Sequence, residues 1–438
     1  MAASVFRRRV GAAAGIYVSV AFGFAGTMVA ARLFSSEALG LYAIVLAATS
    51  FFQSLLDLTI EEALIKYGFR YLARDDWGRL RRLFRQTVVF KLVGALLAGL
   101  ALLVLAVFAE PIFGHAELRL PLAIGATIPL LQAPEGISAV ALMLRGRYDL
   151  RGGFYAVSMA LRLAAIAAFA SVGLAWTIGA IAVAQGLSSV AISLAGLAAF
   201  RRFPRVAHRS LGEDRRGILS FIVQSSGATG MVSLRSSLTP LVLGIVSTAT
   251  QVGYFRVAMS PQQGFAALSA PIRLVLLTEQ TRDWEQRRYA RVFAGVRRYT
   301  LSAALGAVVL LPFLLWLMPL FVRLLPGPKY LPAVDAARVI VVAGAVQFLV
   351  GWSKSFAVTV GRPNLRIWTH GVETIVLLPL AVALGREWGA LGAALAVLVS
   401  SIVFAAMWTV LLVRIRRETP EPGSDDAERV PVVREVRA

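Results

Sequence analysis

The chain alternates long apolar runs with short polar interruptions, and the runs have nearly one length. A helix needs about 20 predominantly apolar residues to cross the hydrocarbon core of a bilayer. Twelve stretches meet that requirement: 10–31, 39–60, 87–108, 120–144, 154–174, 177–200, 218–246, 254–278, 300–320, 336–359, 367–384 and 390–412. The pattern predicts an all-α integral membrane protein of twelve transmembrane helices. Only 61–86, 201–217 and 279–299 could hold interfacial helices, and no separate catalytic domain fits. The first run follows Arg7-Arg8-Arg9 and ends at Ala30-Ala31, the form of a signal peptide with a small-residue cleavage site. Its 22 uncharged residues and the spans that follow favour a retained first helix with its amino terminus inside.

Composition narrows the class. With 58% hydrophobic and 16% charged residues and a mean hydropathy of +0.72, the chain departs from soluble proteins, in which about a quarter of residues are charged. The formal charge of +21 does not imply nucleic acid, because the arginines lie in short clusters between apolar runs. Of the 45 Lys and Arg residues, 33 fall on one side if the amino terminus is cytoplasmic and 6 on the other, the remaining 6 lying within spans. Basic residues concentrate on the cytoplasmic side, so both termini are expected there, in a bacterial inner (plasma) membrane. The absence of cysteine removes disulfides, thiolate metal sites and cysteine nucleophiles.

Three echoes suggest a duplication. "GRYDLR" at 146–151 returns as "GRPNLR" at 361–366, 215 positions later. "LGLY" at 39–42 returns as "VGYF" at 252–255, and "WTIGAIAV" from Trp176 as "WGALGAALAV" from Trp388, at offsets of 213 and 212. Matched to the span order, they divide the chain into a six-helix lobe at 1–200, a cytoplasmic linker at 201–217, a second lobe at 218–412 and a disordered tail at 413–438. Six is even, so the two are parallel repeats around a central cavity, an architecture used for alternating access.

Ionisable groups inside spans are costly and usually face a cavity or a partner. The basic set is Arg162, Arg235, Arg256, Arg273 and Lys354; Lys91, near the start of span three, can snorkel. On helical wheels Gln224, Ala228, Met231, Arg235 and Thr239 share a face, as do Arg256, Ser260 and Gln263, with Gln262, Ser269 and Arg273 beside them. Asp57 and Glu61 lie four apart near the inner end of span two, Glu135 follows Pro134, and Glu373 lies three residues after His370. Asp57, Glu135 and Glu373 are candidates for ion coupling or for structural ion pairs. The histidines are scattered, no metal cluster is expected, and no phosphate-binding G-x-x-x-x-G-K-[ST] loop is present. No cofactor is implied.

Residues 31–68, "ARLFSSEALGLYAIVLAATSFFQSLLDLTIEEALIKYG", and "QVGYFR" at 251–256 resemble the opening spans and the second-half counterpart of Wzx-like oligosaccharide flippases in the multidrug, oligosaccharidyl-lipid and polysaccharide exporter superfamily. Thr59 stands where that pattern has glycine. The resemblance implies translocation of a polyprenyl-diphosphate-linked oligosaccharide through a cationic cavity, here lined by Arg162, Arg235, Arg256 and Arg273 with Lys354 near its inner mouth. It also implies polysaccharide polymerase and glycosyltransferases as partners, beside membrane lipids. A multidrug or organic-cation exporter of the same superfamily would need an acidic cavity. A peptidoglycan-precursor flippase usually has two more spans, and a membrane glycosyltransferase would need a large outer loop or paired acids. A structural scaffold would not need buried arginines.

Overall fold

The computed structural model describes residues 2–56, 60–262, 279–284, 286–362 and 364–419, of which 2–10, 12, 224, 225, 227–235 and 358 are described by backbone alone. The described residues are helical almost throughout, and they include no strand. The first half contains α1 (Ala2–Leu33), α2 (Ser36–Leu56), α3 (Ile60–Ala73), α4 (Trp77–Val107), α5 (Ala109–Phe113), α6 (Arg119–Gly125), α7 (Thr127–Leu144), α8 (Tyr148–Phe169) and α9 (Leu174–Arg201). The second contains α10 (Asp214–Val246), α11 (Ala249–Ala258), α12 (Tyr289–Leu324), α13 (Val334–Leu349), α14 (Ser353–Thr359) and α15 (Asn364–Glu418).

Nine helical segments among the described residues are long and apolar enough to cross a membrane. The last of them, the 55-residue α15, joins two helices at Gly389, whose φ of 55° and ψ of −126° break the helical path. A side chain there would meet the Gln251 side chain at 2.4 Å, and Gln251 accepts a 2.9 Å bond from the Ala390 amide, capping the helix that restarts. The expected spans 367–384 and 390–412 therefore meet at a glycine. Span eight, expected over 254–278, is described only to residue 262.

Small residues set the helix separations. A Cβ on Gly15 of α1 would lie 2.4 Å from the Gly152 backbone in α8, and one on Gly196 of α9 would lie 2.6 Å from the Ser138 Cα in α7. Between the halves, a Cβ on Gly40 of α2 would lie 1.7 Å from the Ala249 carbonyl oxygen, and one on Gly253 of α11 would lie 2.1 Å from the Ser36 carbonyl oxygen. These two contacts are the same contact seen twice, since Gly40 and Gly253, like Ser36 and Ala249, are 213 positions apart.

Other features repeat at a similar spacing. Ser35 Oγ accepts from the Ala38 amide at 3.1 Å, and Thr248 Oγ1 from the Gln251 amide at 3.4 Å. Gln53 donates to Gln132 at 3.0 Å, and Gln262 to Gln347 at 3.2 Å. Gly146 and Gly361 both have φ of 70°, and the amide that follows each reaches back to the fifth preceding carbonyl, at 2.9 and 3.0 Å. That is the left-handed helix ending that glycine favours. The two "GR" turns are therefore matched in backbone conformation.

The linker at 201–217 is a strap with no helix over 204–211. Arg81 Nε donates to the Pro204 carbonyl at 2.8 Å and Arg79 Nε to the Ser210 carbonyl at 3.3 Å. Phe203, Leu211 and Ile218 join Tyr67, Tyr71 and Leu80 in one buried cluster. Tyr71 donates to Asp214 at 3.0 Å; burial, then this bond, push its phenol well above the usual range. At the other end α15 passes residue 412 and continues to Glu418, which accepts from Arg362 and Arg414 at 2.9 and 2.8 Å. The tail thus starts later than the hydropathy pattern predicts, and 420–438 lie outside the described residues.

Overpacking a tight contact costs about 1–3 kcal/mol or more. Gly196→Leu is therefore expected to lower the melting temperature in detergent clearly, while Gly179→Leu in the same helix, with nothing within 4 Å of its Cβ, leaves it nearly unchanged. Equal melting of the two variants would contradict this packing.

Candidate functional site

Among the described residues, two cavities with a polar lining lie between the apolar helices. The first, about 170 Å³, is bounded by α1, α2, α8 and α11 and thus lies between the halves. Its polar lining is Thr27, Tyr42, Arg162 and Arg256, set among Phe22, Met159 and the glycines Gly23 and Gly26. Arg256 reaches it because Gly253, one turn earlier, lets α11 approach α2. Tyr42 follows Gly40 by the same logic on the opposite helix. Arg256 Nε is buried without a hydrogen-bond partner. Among the described residues, no carboxylate lies within ion-pair distance of Arg162 or Arg256.

Two guanidiniums in one cavity repel each other, and the Arg256 Nε–H is unmet. The arrangement suits an anion with several acceptor oxygens, since guanidinium pairs with phosphate and carboxylate through two parallel bonds. The glycines of α1 leave room for it.

The second cavity, about 150 Å³, lies inside the first half. There Lys91, with 5% of its side chain exposed, is 2.7 Å from Glu61. Lys91 is the fifth residue of the apolar run, and its ammonium is turned to Glu61 and buried there. Glu135, across the cavity, accepts from Gln185 at 2.7 Å and Ser189 at 3.5 Å. The Gln53–Gln132 bridge lines the same space, and Arg151 and Tyr155 complete it.

The remaining sequence candidates separate. The backbone of Arg235 lies in α10, and its side chain is outside the described set, as are Arg273 and Asp57 altogether. Lys354 is exposed on α14 and lines neither cavity; the helix of span ten stops at Leu349, and a turn at Val350–Trp352 starts the short helix that carries it. Glu373 is fully buried, with one oxygen 3.0 Å from His370 Nδ1, and the imidazole stacks on Phe404 at 4.9 Å. Its basic neighbour is thus a histidine on its own helix. At the surface, Glu37, His115 and Glu117 bring one ligand atom each to within 4.8 Å of the others, a convergence that scattered histidines do not predict.

Sequence reasoning missed Tyr42 and the Glu61–Lys91 pair. Tyr42 was marked by its place in the "LGLY" echo. The pair had no comparable signal, because nothing local states which acid a lysine on another helix meets.

The sequence profile described as polysaccharide biosynthesis protein matches residues 29–335. The chain is similar to a solved structure described as the inward-facing conformation of a multidrug resistance MATE family transporter of the MOP superfamily, at 14% identity and a TM-score of 0.70, covering 92% of this chain and 96% of that chain. It is similar to lipid II flippase MurJ in an inward closed conformation, at 12% identity and a TM-score of 0.71, covering 91% of this chain and 87% of that one. For an outward-facing MATE family transporter of the same superfamily the identity is 16% and the TM-score 0.58, covering 95% and 96%. No curated protein matches in sequence. At these identities the likeness is one of fold.

Removing Lys91 leaves the Glu61 carboxylate facing Gly136 without this cation. Breaking a buried pair costs about 3–5 kcal/mol, and the lower end applies because 32% of the Glu61 side chain is exposed. Lys91→Met is expected to destabilise by roughly that amount, and adding Glu61→Gln to recover most of it. Thermal unfolding of the single and double variants checks this, and identical melting of both would exclude energetic coupling.

Proposed function

The chain belongs to the polysaccharide biosynthesis protein family and has the fold of MOP-superfamily transporters, and from that premise we propose that it flips a polyprenyl-diphosphate-linked oligosaccharide from the inner to the outer leaflet by alternating access. It is a multi-pass membrane transporter and not an enzyme. The observation that carries the substrate reading is the cavity between the halves, where Arg162 and Arg256 meet with no carboxylate beside either among the described residues. A diphosphate offers oxygens to both guanidiniums, and acidic sugars add to the same preference. Arg235 and Arg273 are proposed to extend this surface and Lys354 to stand near its inner mouth.

The architecture proposed is twelve spans in two parallel six-helix lobes, 1–200 and 218–412, joined by the strap at 201–217. The reciprocal glycine contact, the two glutamine bridges and the paired left-handed turns support it. The excess of basic residues on one side supports cytoplasmic termini in a bacterial inner membrane. Asp57, Glu135 and Glu373 remain the candidates for ion coupling, and Glu135 has the strongest claim because it lines a polar cavity. A polymerase and glycosyltransferases are the proposed partners, since a lipid-linked glycan must be built before translocation and consumed after it.

A charge-assisted hydrogen bond is worth about 1.5–3 kcal/mol, a roughly tenfold to hundredfold effect. Arg162→Ala and Arg256→Ala are each expected to reduce complementation of a flippase-deletion strain by that order, with inner-leaflet lipid-linked oligosaccharide accumulating. Wild-type complementation by both variants would sink the substrate reading. Efflux of cationic dyes dependent on the same arginines would favour the drug-exporter alternative.

A further inference from the structure

The end of the molecule where α1 stops and α2 begins carries a second set of contacts between the halves. Arg32, in the last turn of α1, donates through Nε to the Leu325 carbonyl at 2.7 Å and through Nη2 to the Leu324 carbonyl. Those are carbonyls at the finish of α12. In return Lys329, in the turn Pro328–Ala333 that follows α12, donates to the Arg32 carbonyl at 3.0 Å and to the Phe34 carbonyl. Those carbonyls belong to the finish of α1. Each half thus supplies the cation that caps a helix end of the other. The last carbonyls of a helix lack internal partners and carry partial negative charge, so both contacts are favourable.

Beside them Tyr330 is fully buried. Its hydroxyl is 3.5 Å from the Ser35 carbonyl, and its ring meets Tyr254 of α11 edge-on at 6.2 Å. Thr27, which lines the cavity between the halves, lies on the same helix as Arg32 and little more than one turn before it. The capped carbonyls of α1 thus lie close to the cavity along the same helix.

We infer that Arg32 and Lys329 form a latch that holds this end of the transporter shut, working beside the Gly40–Gly253 crossing, and that both must release their carbonyls for the cavity to open here. The inference rests on the transporter reading, but it needs no particular substrate. Among the described residues neither cation has a carboxylate within ion-pair distance. The latch therefore opens without leaving a buried acid behind, since a cation and a carbonyl at an exposed helix end are both readily hydrated. It is built to be broken and remade.

The absence of cysteine makes the test direct. Ala116→Cys and Leu331→Cys place one spin label on an exposed residue of each half at this end, neither of them a latch residue. In the full-length protein in lipid nanodiscs, Arg32→Ala and Lys329→Ala, singly and together, are expected to add a longer-distance population and raise the open-to-closed ratio by about fivefold or more. Arg32→Lys and Lys329→Arg should keep most of the closed population. Arg323→Ala, an exposed cation at the same end, should change nothing. Unaltered distances in both single variants would overturn the proposal, as would equal opening by Arg323→Ala. A loss of transport with distances unchanged would count against the latch while leaving the substrate reading untouched.

Discussion

The crossing of α2 and α11 is the constraint from which the rest of the architecture follows. A backbone-to-backbone approach at Gly40 and Gly253 leaves no room for any side chain, so it fixes the separation and angle of the two helices. Because the contact is reciprocal, it also fixes a local two-fold relation between the halves. The neighbouring contacts follow that relation: the Ser35 and Thr248 caps start the two helices alike, and a glutamine bridge follows each, from Gln53 on α2 and from Gln262 four residues past the end of α11. The symmetry stops at the chemistry. The position matching Arg256 at the 213-residue offset is Ala43, so only one half supplies a cation at the crossing, and Tyr42 stands where the other half has Phe255. The two matched segments share a frame, and only one of them carries the charge.

Buried charges in this protein are handled in two different ways, and the difference separates structure from function. Inside the first half, Lys91 is met by Glu61, and Glu135 is met by an amide and a hydroxyl. These groups are satisfied in place, and disturbing them costs stability. Arg162 and Arg256 are held in a cavity with no such partner. An arginine cannot shed its charge to escape burial, so the cavity keeps its cost until water or an anion enters. The unmet Nε–H of Arg256 is what supports the proposed ligand site in the cavity between the halves.

Much of the fold was legible because a bilayer imposes one rule on every span. The apolar runs locate the helices, and Gly146 and Gly361 locate two turns, since a left-handed residue after a helix strongly favours glycine. The echoes were readable for the same reason: a close helix crossing tolerates one residue type, so "LGLY" and "VGYF" both carry a glycine at the crossing. Hydropathy is blind to helix continuation beyond an apolar run, which is why α4 begins ten residues before the run at 87–108. It is blind also to the strap at 204–211, whose arginine-to-carbonyl bonds depend on chain segments more than 120 residues apart. Of the arginines named from burial alone, Arg162 and Arg256 meet in one cavity, whereas Lys354 is carried to the surface by a turn that an all-apolar segment does not announce.

The distribution of strong and weak contacts has a mechanical meaning. Within the first half the helices are locked: Gly15 against Gly152, Gly196 against Ser138, and a buried ion pair tying α3 to α4. Between the halves, the glycine crossing and the cations on exposed carbonyls lie beside packed apolar side chains, among them Leu39, Leu41 and Ile44 of the first half and Leu243, Val252 and Phe255 of the second, in one buried cluster. A packed apolar interface resists sliding because every side chain must leave its socket. On the proposed transport cycle, movement between the halves must therefore repack this cluster as well as release the cations. The start of α10 adds a tether, for Asp214 is bonded to Tyr71, Arg70 and Arg79 of the first half, while the body of the helix packs both on α15 of the second half and on α2 of the first, with Gly244 against Ile44 and Phe113. One helix thus holds to both halves along its length, so on the proposed cycle it cannot move with one half alone.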